Sequence, residues 1–223
     1  MFWFGTDELG RDLFTRCWYG ARISLLVAFI AAVIDVIFGV FWGAFSAFVG
    51  GKADDIMMRI CDIISSVPYL LMVILLIVVI GPGLVSIILA LSCVGWINMA
   101  RITRAKVLEI KGLDYVLASV AFGATRKQII KSHLVPNAIG PVIATMMLTI
   151  PSAIFAEAFL SFLGLGIQLP LASLGSMAND GLGALRYFAW RCFFPASIIC
   201  LIMLAFNLVG NSLREALDPR LED

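Results

Sequence analysis

The stretch DYVLASVAFGATRKQIIKSHLVPN, residues 114–137, writes charges, a glycine and a proline into a chain otherwise apolar enough to dissolve in lipid. The spacing from Asp114 to Phe122 predicts a short helix with Val116, Leu117, Val120 and Ala121 on one side. Gly123 ends it, as glycine does where a helix closes in the left-handed conformation. Thr125, with Gln128 three residues on, is a capping-box pattern that starts a second helix, and Ile129, Ile130 and Leu134 supply its apolar side. Pro136 stands where the next long apolar run begins, a position proline tolerates. The product is helix, glycine corner, helix. Its apolar side must rest on something, either lipid headgroups or a groove in a soluble partner. Periodicity alone does not separate the two.

Around this segment the chain reads as an integral membrane protein. Of 223 residues, 61% are hydrophobic and only 14% charged, whereas soluble domains carry about a quarter charged. A net charge of +1 argues against nucleic acid held by bulk electrostatics. The five cysteines are scattered, with no C-x-x-C pair, so neither a disulfide framework nor a metal site is expected. Met1 to Gly5 lacks a basic region leading into an apolar stretch, so no cleavable signal peptide is expected.

A membrane-spanning helix needs about 20 apolar residues, and five candidates emerge, at about 23–49, 60–80, 84–100, 137–163 and 192–213. The second and third share a charge-free run of 38 residues, Ile63 to Ala100, punctuated by Gly81-Pro82-Gly83. Residues 1–22 form an interfacial segment, 101–135 a polar connection and 214–223 a tail. Lys and Arg set the orientation. Eleven fall on the side of the 50–59 loop, the 101–135 connection and the tail, against five on the other side, so the quoted stretch and the C-terminus face the cytoplasm and the N-terminus faces out. The first span alone, with Arg11, Arg16 and Arg22 before it, prefers the reverse. An earlier span, absent from the sequence, would resolve that conflict.

Charges within spans are costly and rarely face lipid. Asp35 shares a helical stripe with Ala31, Gly39, Gly43 and Ala47, and Gly39-x-x-x-Gly43 lets helices approach closely. Asp35 therefore points into a helix seam or a water-filled path. Glu157 either anchors a buried network or lines the path. Pro68 and Pro151 fall inside expected spans, where each frees a carbonyl and bends its helix, in a gate or in a passive bundle. His133 is the sole histidine, with no second ligand at metal spacing, and is expected to meet a partner or bond a carbonyl. GGKADD (50–55) fails as a phosphate loop: Ser46 replaces its first glycine and Ala53 follows the lysine. No nucleophile–base pair and no paired carboxylates are evident, so this chain is not expected to hydrolyse ATP. Residues 167–191 read as an external loop, with Tyr187 and Trp190 suited to the aromatic belt.

The quoted stretch resembles the EAA loop of ABC importer permease subunits. Ala118 and Ser119 fall at its paired alanines, Gly123 at its glycine, and His133-Leu134-Val135-Pro136-Asn137 at its closing block, while Leu117 departs from its acid. FGTDELGRDLFTRCWYGARISL (4–25), EAFLSFLGLGIQLPLASLGSMANDG (157–181) and NSLREALDPRLED (211–223) resemble the C-type subunit of the oligopeptide and dipeptide branch, with Leu174 for a usual tryptophan and Asn211 for a usual aspartate. The resemblance implies an all-α type I permease fold of six spans, five of them in this sequence. It implies a coupling loop that docks an ATPase through Val116, Leu117, Ala118, Ser119, Gly123, Ala124, Thr125, Ile129, Ile130, His133 and Pro136. It further implies a homologous permease partner, two cytoplasmic ATPase subunits that bind ATP and Mg, a substrate-binding protein outside, no cofactor of the subunit's own, and a place in a bacterial inner membrane. Asp35, Gly39, Gly43, Pro68, Pro151 and Glu157 are then candidates for the translocation path or a helix seam. The competing classes are a secondary transporter or channel, which would show internal repeats, and a membrane enzyme, which would show a catalytic set. Neither feature is evident.

Overall fold

The computed structural model describes residues 2–168 and 170–217, and of Arg126 only the backbone. Residues 218–223 of the expected tail, Arg220 included, lie outside the described residues. The described residues are helical apart from turns and one isolated bridge, Thr6 to Asp12.

Helix α1 spans Leu13–Val49 and begins ten residues before the expected span, because Asp12 caps it: its carboxylate accepts the N–H groups of Phe14 (3.2 Å) and Thr15 (3.3 Å). Its 37 residues reach about 55 Å, well beyond the roughly 30 Å of a bilayer core. The expected span at 60–80 is instead two helices, α2 (Gly51–Ser65) and α3 (Tyr69–Ile80), bent by 77°. Pro68 is therefore not inside a helix, and this corrects the sequence expectation. It caps α3, disfavours helical geometry at Val67, and breaks the run between the charged α2 and the wholly apolar α3. The Gly81-Pro82-Gly83 turn leads to α4, Leu84–Lys111, which carries its basic end residues as a continuous helix.

The quoted stretch forms α5 (Asp114–Ala121), a corner at Gly123 with φ +84°, α6 (Arg126–Ile129) and a π-turn over Ile130–Leu134. This runs on into α7, Val135–Phe162, which contains Pro141 and Pro151. Helix α8 (Leu174–Leu182) lies where a loop was expected, and α9 spans Trp190–Ala216. Among the described residues four helices are long and apolar enough to cross a membrane, or five spans if the bent α2–α3 pair counts as one.

Lipid gives helices no hydrophobic reason to associate, so close packing of small residues must do it. The α1–α4 seam is built that way. A β-carbon on Gly39 would stand 2.6 Å from Met99 Cβ and 2.7 Å from Trp96 O, and one on Gly43 would overlap the Ala100 carbonyl. Ala28, Ala31, Ala32 and Ala47 are buried along α1. Helix α7 packs on α1 through Ala28, Ala32, Ile150 and Ile154, with Ile199, Ile202 and Phe206 of α9 beside them. Most of α9 remains exposed, with only Pro195 and Gly210 buried.

Candidate functional site

The α5–α6 corner has an anchored side and a bare side. Val116, Ile129 and Leu134 are buried in one cluster with Ala47 from the end of α1 and Val107 and Ile110 from the end of α4. Leu117 and Val120 are more than half exposed, and Phe122, at the corner itself, is 92% exposed. The apolar side read from the spacing is thus divided between the two. Leu117, Val120 and Ile130 point outward, and Val116 alone carries the underside of α5. For Ile130 the physical reason is the π-turn, whose wider winding shifts the register so that Leu134 takes the inward place.

Local chemistry fixes the corner. The Thr125 N–H donates to Gln128 Oε1 at 2.8 Å and the Gln128 N–H to Thr125 Oγ1 at 3.4 Å, the reciprocal cap the sequence predicted. Gly123 holds its left-handed conformation with open space where a β-carbon would stand, and Ala118 is exposed, so a partner can come close. His133 ties the two helices together. Its Nε2 lies 3.2 Å from Ser119 Oγ and its ring meets Tyr115 edge-on at 5.5 Å. Ala124 packs on the underside, and Pro136 sits in the first turn of α7.

The corner is stitched to the long helices. Lys111 Nζ donates to the last carbonyls of α1, Ala47 O (2.9 Å) and Phe48 O (3.3 Å), where a cation suits the helix dipole. One turn and more up α4, Arg104 grips Asp54 of α2 with two bonds of 2.6 Å, and Ser46 donates to the same carboxylate.

Deeper in the bundle a cavity of about 700 Å³ lies between α1, α3, α4, α7 and α9. Asp35 lines it, 4% exposed, and its Oδ1 has no hydrogen-bond partner. Gly39 and Gly43 lie in the α1–α4 seam instead, and Pro151 is buried in α7. Glu157 is absent from the cavity lining. It is fully buried in a network: Ser24 Oγ donates to it at 2.8 Å and Ser161 Oγ at 2.7 Å, Ser161 Oγ lies 3.2 Å from Ser173 Oγ, and the Leu174 N–H donates to Ser24 Oγ at 3.3 Å. Of the two readings of Glu157 the network holds, and it binds α8 to α1 and α7. The sequence missed α8 because its start is signalled by Ser173 capping Ser176, inside a glycine-rich stretch.

At the end of the bundle away from the corner, Asp7 gathers Arg11 Nε at 2.7 Å, Arg16, and the N–H groups of Leu9 and Arg11, each at 2.9 Å. Burial alone would raise its pKa, but the Arg11 and Leu9 bonds and the Arg16 charge outweigh that and hold the carboxyl below its ordinary value. Arg191 reaches Thr6 O at 3.1 Å, and Phe4 stacks on Phe194 at 3.8 Å.

Residues 36–223 match the family model described as binding-protein-dependent transport system inner membrane component. The chain is 58% identical over 219 residues to the oligopeptide transport system permease protein OppC of Bacillus subtilis, covering 98% of this chain and 72% of that protein. It is 59% identical over 220 residues to the dipeptide transport system permease protein DppC of the same organism, covering 98% and 69%. Among solved structures, the inward-facing MetNI methionine ABC transporter matches with a TM-score of 0.77 at 21% identity, covering 96% of this chain and all of that one. An amino acid ABC transporter matches with a TM-score of 0.71 at 18% identity, covering 91% and 94%. The fold is that of type I ABC importer permeases. The chain belongs to the family of binding-protein-dependent transport system inner membrane components, as a non-catalytic, membrane-spanning permease subunit.

Proposed function

We propose that this subunit forms half of the membrane path of an ATP-driven importer of dipeptides or oligopeptides, beside a homologous permease. Two cytoplasmic ATPases grip the corners of both permeases, and a binding protein outside delivers the peptide. The loop 101–135 and the C-terminus face the cytoplasm, and the N-terminal segment with α8 faces out. The observation that carries the reading is the corner: Leu117, Val120 and Phe122 stand bare on a helix pair whose underside is fixed by Val116, Ile129 and Leu134. A lipid-lying helix needs no such rigid mounting, whereas a lever does. The names of the Bacillus subtilis relatives support peptide as cargo.

The test is Phe122→Cys in the assembled transporter. The thiol cross-links to an ATPase subunit, and in intact cells it resists membrane-impermeant reagents. Phe122→Asp removes about 2 kcal/mol of apolar burial from the contact and uncouples ATP hydrolysis from uptake. Labelling of the corner from outside would end the reading.

A further inference from the structure

A carboxylate buried in a membrane bundle needs a counter-charge or a set of donors. Asp35 is given neither by its own chain: among the described residues no ion pair or hydrogen bond includes it, and Oδ1 is orphaned. The carboxylate is also deliberately placed. It lies against Gly95 of α4, where a β-carbon would stand 2.8 Å from Oδ1, so only glycine leaves it room. Three basic residues, Arg101, Lys106 and Arg214, line the same cavity together with Glu109; Arg101 is paired with Asp62 (2.9 Å) and Lys106 with Glu109 (3.1 Å). Arg101 is about 9 Å from Gly95 along the α4 axis. The lining therefore offers the Asp35 carboxylate, a predominantly basic group further along α4 and at the end of α9, and the hydroxyls of Thr145, Thr149 and Ser152 on α7. Its volume suits a small organic ligand. Two extended residues span about 7 Å, so a dipeptide zwitterion has the matching length and polarity. An inorganic cation would use only the Asp35 carboxylate.

We propose that Asp35 is a recognition site for the α-ammonium group of peptide cargo inside the cavity, with the cargo carboxylate toward the basic side chains of the lining. This rests on reading the cavity as the peptide path. The counter-charge is then supplied by the cargo in transit, and an amine-blocked peptide leaves the carboxylate unpaired.

The test uses the complete transporter, both permeases and both ATPases, in lipid nanodiscs without the binding protein, so that the latter's own selectivity does not intervene. Saturation-transfer NMR reads weak binding of alanyl-alanine and of N-acetyl-alanyl-alanine. Wild type binds the free-amine peptide about tenfold better than the acetylated one, as for a charge-assisted hydrogen bond. Asp35→Asn, close to isosteric, abolishes that preference while the four subunits still co-purify; Asp35→Glu retains part of it; Gly95→Ala, which crowds the carboxylate, weakens it. An assembled Asn variant with undiminished preference overturns the inference alone. So does loss of assembly in that variant, which would assign the carboxylate to a cation of the partner permease. If wild type neither binds nor, with its binding protein in proteoliposomes, imports alanyl-alanine, the peptide-path reading falls and takes the inference with it.

Discussion

The α1–α4 seam makes one substitution carry opposite signs at two glycines. In Gly43→Ala the new β-carbon overlaps the carbonyl oxygen of Ala100 and stands 2.9 Å from its carbon and 3.0 Å from Arg104 N. These are backbone atoms of a regular helix and cannot swing aside. Restoring an ordinary carbon–oxygen contact requires the helices to part by about 1 Å, along the broadest helix interface in the molecule. Overpacking of this kind costs about 1–3 kcal/mol. Overlap with fixed backbone belongs at the upper end of that range, and alanine's intrinsic helix advantage over glycine returns at most about 1 kcal/mol, so the net effect is destabilising by roughly 2 kcal/mol. Gly112→Ala, at the end of α4 with φ −83° and ψ −7°, meets nothing nearer than Glu109 O at 3.5 Å. It is neutral or stabilises by up to about 1 kcal/mol. Thermal melting of the purified complex, followed by loss of helical circular dichroism, measures both. A Gly43→Ala protein that melts at or above wild type would refute the seam geometry.

Arg104→Met leaves Asp54, only 7% exposed, with Ser46 and the more distant Lys111 charge but without its bonded cation; because Arg104 is partly solvated, the loss is about 1–3 kcal/mol rather than the larger value for a deeply buried pair, and melting reads it. Glu157→Leu takes the acceptor from the Ser24 and Ser161 hydroxyls, leaving them the Leu174 N–H and Ser173 Oγ, and costs about 1–3 kcal/mol, whereas Glu157→Gln, which keeps an acceptor, costs clearly less in the same assay. For Asp7 the folded-state pKa is depressed, so its stabilising contribution is present above the ordinary aspartate value near 3.9 and is lost as pH falls through the lower folded value. Protease sensitivity of the N-terminal segment therefore stays flat from neutral pH down to about 4 and rises only below it, and Asp7→Asn removes that pH step.

What the sequence revealed about this fold was what is decided locally. The Gly123 corner and the Thr125–Gln128 cap depend on residues a few positions apart, and both formed as read. Which apolar residues of the corner turn inward was not legible, because the π-turn before Pro136 changes the winding and sends Ile130 outward. Pro68 looked like a kink because the charge-free run continues across it, yet the chain breaks there by 77°, with the charged α2 on one side. Asp35 was legible as costly but not as seam or cavity, since that choice depends on Gly95 and on residues of α7 more than a hundred positions away. Helix α8 was hidden because its anchor, the Glu157–Ser161–Ser173 chain, joins segments whose pairing no periodicity announces.

The stitching also determines which parts can move together. In the proposed docking, force at Phe122 passes through Val116 and Ile129 to the ends of α1 and α4, with which they are packed. Lys111 and the Arg104–Asp54 pair bind those ends to each other and to α2, and the glycine seam above leaves no slack for sliding. Close-packed elements without slack rotate as one body rather than deform. The compliance must then lie where backbone ladders are already interrupted: the Ser66–Pro68 break, the π-turn at Ile130–Leu134, and Pro141 and Pro151 within α7. Tyr69 of α3 and Thr145 and Thr149 of α7 line the cavity from just beyond those interruptions, while Asp35 and Gly95 line it from the rigid pair. In the proposed coupling, rotation of α1 and α4 at the corner therefore changes the cavity by moving the Asp35 carboxylate against walls that hinge separately, because Lys106 and Glu109 of its lining alternate along α4 with Val107 and Ile110 of the corner cluster.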